Sequence, residues 1–172
     1  MWPPTVPTGF SYYCRRYLTE AELLRKSIDA PLLYWELPMT AHGDEAWMGT
    51  ASGAALKEPR AGEPVLFELK KVPGKANAFA MGVTVGRIDT NDVVIDDASV
   101  SRFHAYFQKD ARTGDWNVVD AESKNGTWVG PLKLAPNERA RVTDETKVRF
   151  GDVEMIFLTV NGLFARIRDG LK

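Results

Sequence analysis

Three turns in the C-terminal two thirds of the chain carry side chains suited to holding an oxyanion. Arg87 follows Val83 and Val85 and opens a polar turn, Ile88-Asp89-Thr90-Asn91-Asp92. Ser101 and Arg102 follow a second turn, Asp96-Asp97-Ala98-Ser99, and Lys124 and Asn125 lie in a third, Ser123-Lys124-Asn125-Gly126. A guanidinium offers a rigid fork of donors, a hydroxyl offers one rotatable donor, and an amide both donates and accepts. On convergent loops this set suits an anion such as phosphate. The recognition would have to be local, because the chain as a whole carries 22 Lys and Arg against 23 Asp and Glu. Residues 1–61 hold 6 basic and 7 acidic side chains and residues 62–172 hold 16 of each, so neither part is an obvious partner for nucleic acid or an acidic membrane surface.

Convergence requires a scaffold, and the pattern from residue 65 onward supplies one. Val65, Phe67 and Leu69 alternate with Leu66, Glu68 and Lys70. Apolar or alternating runs follow at Val83–Val85, Val93–Ile95, Ala105–Phe107, Trp116–Val119, Thr127–Val129 and Arg139–Val142. Val148 and Phe150 then point one way and Lys147 and Arg149 the other, and Met155–Leu158 reads as a last strand buried on both faces. Gly, Asn, Asp and Pro separate most of these runs at intervals of about ten residues, the rhythm of a β-sandwich or barrel, whose loops cluster at its ends. After Asn161, read as an N-cap, Leu163, Phe164, Ile167 and Leu171 recur at helical spacing and predict a short C-terminal helix laid on the sandwich.

The first third differs. Thr19-Glu20-Ala21-Glu22 has the capping-box pattern and predicts a helix with Leu23, Leu24 and Ile28 as its apolar stripe and Pro31 as its stop. Leu32-Leu33-Tyr34-Trp35 reads as a buried strand or a docking segment, Glu45–Leu56 as a weak helix, and Lys57–Pro64 as a linker. The expected organisation is an N-terminal extension over 1–61 that packs on or flanks the core, a sandwich over 62–160 and the helix over 161–172. A single cysteine, Cys14, excludes an internal disulfide and suits a reduced compartment. No apolar run is long enough to span a bilayer, and Met1-Trp2-Pro3-Pro4 lacks the regions of a signal peptide, so a cytoplasmic protein is expected.

Gly86-Arg87, Ser101-x-x-His104 and Asn125-Gly126, in that order and at these intervals, resemble the signature of the forkhead-associated (FHA) family. Asn91-Asp92-Val93, Ser99-Val100-Ser101-Arg102, Ser123-Lys124-Asn125-Gly126-Thr127 and Val148-Arg149-Phe150-Gly151-Asp152 fit its bacterial members as well. The resemblance covers roughly residues 64–160. It implies an all-β sandwich of two twisted sheets, carrying here a partly helical N-terminal extension and a short C-terminal helix. It also implies a phosphothreonine-dependent peptide-binding module of Ser/Thr kinase signalling. No cofactor is expected; His42, His104 and Cys14 are too scattered to suggest a metal centre, and the balanced charge suggests neither nucleic acid nor membrane as a partner. By the family resemblance Arg87 and Ser101 bind the phosphate and Asn125 holds the main chain of the peptide beyond the phosphothreonine. His104, Gly86, Gly126 and Thr127 support the loops. Arg102 either adds a second guanidinium or points to solvent. Lys124 departs from the hydroxyl residue common at its position and would steer the anion through its charge. Asp89, Lys124 and Arg112 are candidates for reading residues beyond the phosphate. The threonine preference implies a small pocket for one methyl group, worth about 1 kcal/mol.

Two other classes compete with this one. An enzyme would need a nucleophile and base aimed at each other, and Ser101-x-x-His104 at a strand start does not provide that; no P-loop, nucleophile elbow or GxGxxG is present. A phosphate-independent interaction domain, using a sheet face or the N-terminal extension, is the alternative. Within that extension Trp2, Trp35 and Trp47 are expected to pack on the sandwich. A competing reading has Thr5, Thr8 or Thr19 phosphorylated and bound in cis.

Overall fold

The computed structural model describes residues 7–36, 62–75, 79 and 82–172. The weak helix expected at Glu45–Leu56, most of the linker, and Trp2, Thr5 and Trp47 lie outside the described residues.

Two sheets face each other. Among the described residues the larger contains seven strands in the order β1 (Thr8–Gly9), β3 (Val65–Glu68), β2 (Leu32–Trp35), β12 (Val153–Leu158), β11 (Thr146–Phe150), β8 (Thr127–Val129) and β9 (Leu132–Lys133). The smaller contains β10 (Arg139–Val142), β7 (Trp116–Asp120), β6 (Ala105–Lys109), β4 (Val83–Gly86) and β5 (Val93–Val94). All pairings are antiparallel except β4 with β5. The expected strand runs are therefore present, with β1 and β9 added; each of these is two residues long, too short for any periodicity to announce it.

Alternation sends one side chain of each pair inward. Leu33, Phe67, Val85, Phe107, Val118, Val148, Phe150, Met155 and Phe157 fill the space between the sheets. Strands β2, β3 and β12 are buried on the outer face too, because two helices cover it there. Leu32, Tyr34, Leu66 and Leu158 pack outward against Tyr13, Leu24, Leu163, Phe164 and Ile167 of α1 (Phe10–Ser27) and α2 (Val160–Gly170). Double burial explains why Leu32–Trp35 is a continuous apolar run without alternation. It also resolves that segment as a strand, seated between β3 and β12 in register Leu33↔Phe67 and Phe157↔Leu33.

The helices begin elsewhere than their sequence signals suggest. α1 starts at Phe10, nine residues before the predicted Thr19 cap, and Gly9 at its N-cap offers no side chain. The missing cap comes from far along the chain: Glu63 accepts from Ser11 N–H at 3.0 Å and Pro64 carbonyl accepts from Phe10 N–H at 2.8 Å. Thr19 caps nothing; its hydroxyl donates back to the Arg15 carbonyl at 3.1 Å. The helix does break one residue later, at Glu20 (φ −155°, ψ 49°). Past the break Leu24 and Ile28 face inward as predicted, whereas Leu23 is 59% exposed. In α2 the cap is Thr159, whose hydroxyl accepts from Gly162 N–H, and the predicted cap Asn161 instead accepts from Arg25 at 2.8 Å. Leu171, expected on the apolar stripe, lies just past the helix and is 46% exposed.

Candidate functional site

The end of β4, the start of β6, the end of β7 and the start of β8 meet at one end of the sandwich. There the 86–92, 97–104 and 120–126 segments are stitched together by hydrogen bonds. Arg87 N–H donates to the Ser101 carbonyl at 3.0 Å, and His104 N–H donates to Val85 at 2.9 Å. Lys124 N–H donates to the Ser101 hydroxyl at 2.9 Å, and the Asn125 amide donates to the Ser99 carbonyl at 2.8 Å. Arg87, Ser101, Arg102, Lys124 and Asn125, expected together from their motifs, do share this end.

Their side chains are poised differently. Arg87, Arg102, Lys124 and Asn125 are exposed and Ser101 is half-buried. Among the described residues Arg87, Arg102 and Lys124 make no ion pair, so their charge is available outward. The Ser101 oxygen already accepts from Lys124 N–H, which leaves its hydrogen free to donate away from the protein. Asn125 spends one amide hydrogen on Ser99 and keeps its carbonyl oxygen and second hydrogen for a ligand.

Beneath these groups lies a buried polar layer. His104 is fully buried: its Nδ1 accepts from Ser101 N–H at 3.0 Å, so Nε2 carries the proton and donates to the Gly126 carbonyl at 3.0 Å. The ring thus bridges the serine loop and the asparagine turn. Burial pushes its pKa down, against an upward pull from the Gly126 bond and the Asp120 carboxylate. Thr127, also buried, donates to Asp120 at 2.6 Å, as does the Ser123 hydroxyl, whose oxygen accepts from Gly126 N–H. Asp120 therefore organises the turn that presents Lys124 and Asn125, with Gly126 in the left-handed region at φ +89°. A Cβ on Gly86 would stand 2.2 Å from the Arg102 carbonyl, so only glycine lets the serine loop close onto β4.

Several supporting residues had no assigned role in the sequence reading. Buried Asn91 donates to both the Ile88 and Arg102 carbonyls, at 2.9 and 2.7 Å, and joins the arginine turn to the serine loop. Asp92 accepts from Thr84 N–H, the Thr84 hydroxyl, Val72 N–H and Lys71, all at 2.8–3.0 Å. Burial pushes the Asp92 carboxyl upward, but the Lys71 ammonium and the Thr84 and Val72 N–H groups outweigh it and hold the carboxyl below its usual range. The sequence signal for both was the Asn91-Asp92-Val93 segment of the family resemblance, which marked them without assigning them a contact. Of the candidates for reading beyond the phosphate, Asp89 and Lys124 belong to the site loops. Arg112 does not: it sits in the β6–β7 turn, at the opposite ends of both strands.

A sequence model of the FHA domain matches residues 83–151, the span that contains every one of these loops. The glycogen accumulation regulator GarA of Mycobacterium tuberculosis is 31% identical over 117 residues, covering 66% of this chain and 69% of that protein. An oxoglutarate dehydrogenase inhibitor of Corynebacterium diphtheriae is 32% identical over 116 residues, covering 66% of this chain and 76% of that one. Among solved structures, the FHA domain of an Arabidopsis thaliana hypothetical protein aligns with a TM-score of 0.46 at 21% identity, over 75% of this chain and 86% of that chain. The class is that of phosphopeptide-binding modules with a β-sandwich fold. The chain belongs to the FHA family. Among the described residues no helix is long and apolar enough to cross a membrane, and no His, Cys, Asp and Glu cluster suits a metal.

Proposed function

We propose that this protein reads phosphothreonine through Arg87 and Ser101, with Asn125 holding the main chain of the bound segment and Arg102 and Lys124 adding positive charge around the phosphate. Gly86, His104, Gly126 and Thr127 serve as the frame. The observation that carries the reading is the state of Ser101. Its backbone and hydroxyl oxygen tie down the Arg87 and Lys124 loops, while its hydroxyl hydrogen and the unpaired Arg87 guanidinium stay open to an incoming anion. Charge-assisted bonds from such a preset frame need little rearrangement on binding.

The protein acts in a Ser/Thr kinase pathway of the cytoplasm, as a binding protein without turnover of its own, engaging a protein partner and neither nucleic acid nor membrane. The relatives' names, a regulator of glycogen accumulation and an inhibitor of oxoglutarate dehydrogenase, favour control of a partner enzyme over chemistry of its own. The folded unit extends well before residue 62, because β2 and α1 complete the larger sheet and its cover. That cover occupies part of the sheet face on which a phosphate-independent interface would otherwise rely.

Fluorescence anisotropy with a phosphothreonine peptide library tests the proposal. Binding near micromolar, about −8 kcal/mol, is expected, lost on dephosphorylation and on Arg87→Ala. Binding that ignores either change would refute it.

A further inference from the structure

Past Asn125 the chain enters β8, where a row of side chains crosses the outer face of the larger sheet. Trp128 lies directly across from Lys133 of β9 on one side and from Arg149 of β11 on the other, so all three project from the same face. The Arg149 guanidinium carbon stands 3.6 Å from the Trp128 ring centre, and Lys133 Nζ stands 4.9 Å from it. The next position in the row, Glu154, faces Arg149 across β11 and β12 but gives its carboxylate to Lys147 at 2.9 Å. Arg149 instead donates to the Gly151 carbonyl at 2.7 Å. Among the described residues, neither Lys133 nor Arg149 is ion-paired.

This row is continuous with the loop end. Lys133 lies across the turn that carries Asn125, with its Cε 2.6 Å from the position a Cβ on Gly126 would take; the Trp128 ring follows at 3.1 Å. Lys133 is therefore held against the tryptophan face and the Gly126 backbone with its charge unneutralised. A stem already packed in this way loses little freedom when it meets an anion. An extended ligand advances about 3.3 Å per residue, so a chain held at Asn125 reaches this row within a few residues.

We propose that the Lys133–Trp128–Arg149 row is a second recognition surface, and that it takes acidic side chains of the bound segment on the far side of Asn125 from the phosphate. This rests on the phosphothreonine reading above, in which Asn125 holds the ligand beyond its phosphothreonine. Charge complementarity selects the occupant: two cations free of carboxylate partners, spaced along one ring, suit Asp or Glu in an acidic stretch.

Calorimetric titration of the full chain tests this with two phosphothreonine peptides that differ only in carrying Glu or Gln at the several positions after the phosphothreonine. The Glu peptide should bind about three- to tenfold more tightly at low salt, and the advantage should shrink as ionic strength rises. Lys133→Gln should bring the two affinities together. Lys109→Gln, the same charge change at the far end of β6, should preserve the difference. Equal affinities for the unaltered protein, or a difference that survives Lys133→Gln, would overturn the proposal while phosphate-dependent binding kept the phosphothreonine reading intact. Absence of phosphate-dependent binding to both peptides would overturn the two together.

Discussion

Order at the helix-covered face of the larger sheet comes from apolar burial. Leu24, Leu32, Leu66, Leu158, Leu163 and Ile167 are almost wholly removed from water there, and aromatic edges at Tyr17–Phe164 and Phe10–Tyr34 complete the contact. At the loop end the order comes from directional polar bonds among Ser101, His104, Asp120, Ser123 and Thr127, and the outermost side chains are left exposed. The first arrangement is tolerant of shape and costly to empty. The second is sensitive to single atoms, since a buried polar group without its partner loses the full cost of its desolvation. A binding site needs the second kind of order, because it must fix donors in place while leaving them unspent. The first kind holds the frame on which those donors stand.

The largest effect that would break this contrast is removal of residues 1–36. It takes β2 out from between β3 and β12 and strips the cover from the outer face, so thermal melts should show no cooperative transition; a truncated chain that melts cooperatively would show that the segment is only an appendage. A narrower probe of the same face is Leu24→Ala, which should lower stability by about 3 kcal/mol in chemical denaturation and leave phosphopeptide affinity of the folded protein unchanged. At the loop end the pattern should invert. Ser101→Ala should weaken phosphopeptide binding by roughly ten- to a hundredfold, about 1.4–2.7 kcal/mol, with a shift in melting temperature of only a few degrees. Equal losses from both substitutions in both assays would dissolve the distinction between the regions.

The smallest expected effect is the dependence on pH. The folded-state pKa of His104 is lowered from its usual value near 6.5, so the unfolded chain takes up a proton before the folded one does. Stability should therefore be flat above about pH 7 and decline as the pH falls from about 6.5 toward the lowered folded value. Asp92, also lowered, adds stability above its unfolded value near 3.9 that is lost only at still lower pH. His104→Asn should remove the decline near pH 6 from a series of melting temperatures. If the variant is too unstable to compare, the titration of His104 followed by NMR in the intact protein reads the same shift directly.

Legibility in the sequence followed the range of the interactions involved. The strands of the sandwich could be read because alternation is a local consequence of the pleat. The site loops could be read because their motif residues sit at turns between such runs. Arg87, Ser101 and Asn125 were identifiable as a set, and the structure brings them to one end. The start of α1 was not legible, since its cap is a carboxylate from Glu63, 52 residues away. Leu23 lies about 100° around the helix from its neighbour Leu24, and only the way the helix docks on the sheet, which no periodic pattern states, buries Leu24 and leaves Leu23 exposed. Arg112 looked like a candidate for ligand contact until the pairing of β6 with β7 put its turn at the opposite end.

The chain's residue types alone therefore determined which groups can donate to an anion and which segments must be extended, because both depend on local covalent chemistry and on periods of a few residues. Tertiary structure decided which of those groups remain unspent. Ser101 keeps its hydrogen because Lys124 N–H fills its oxygen, His104 is locked into one tautomer by two loops, and Lys133 reaches the Asn125 turn by lying over Trp128. Each of these is settled by a partner distant in sequence, and only folding can supply it.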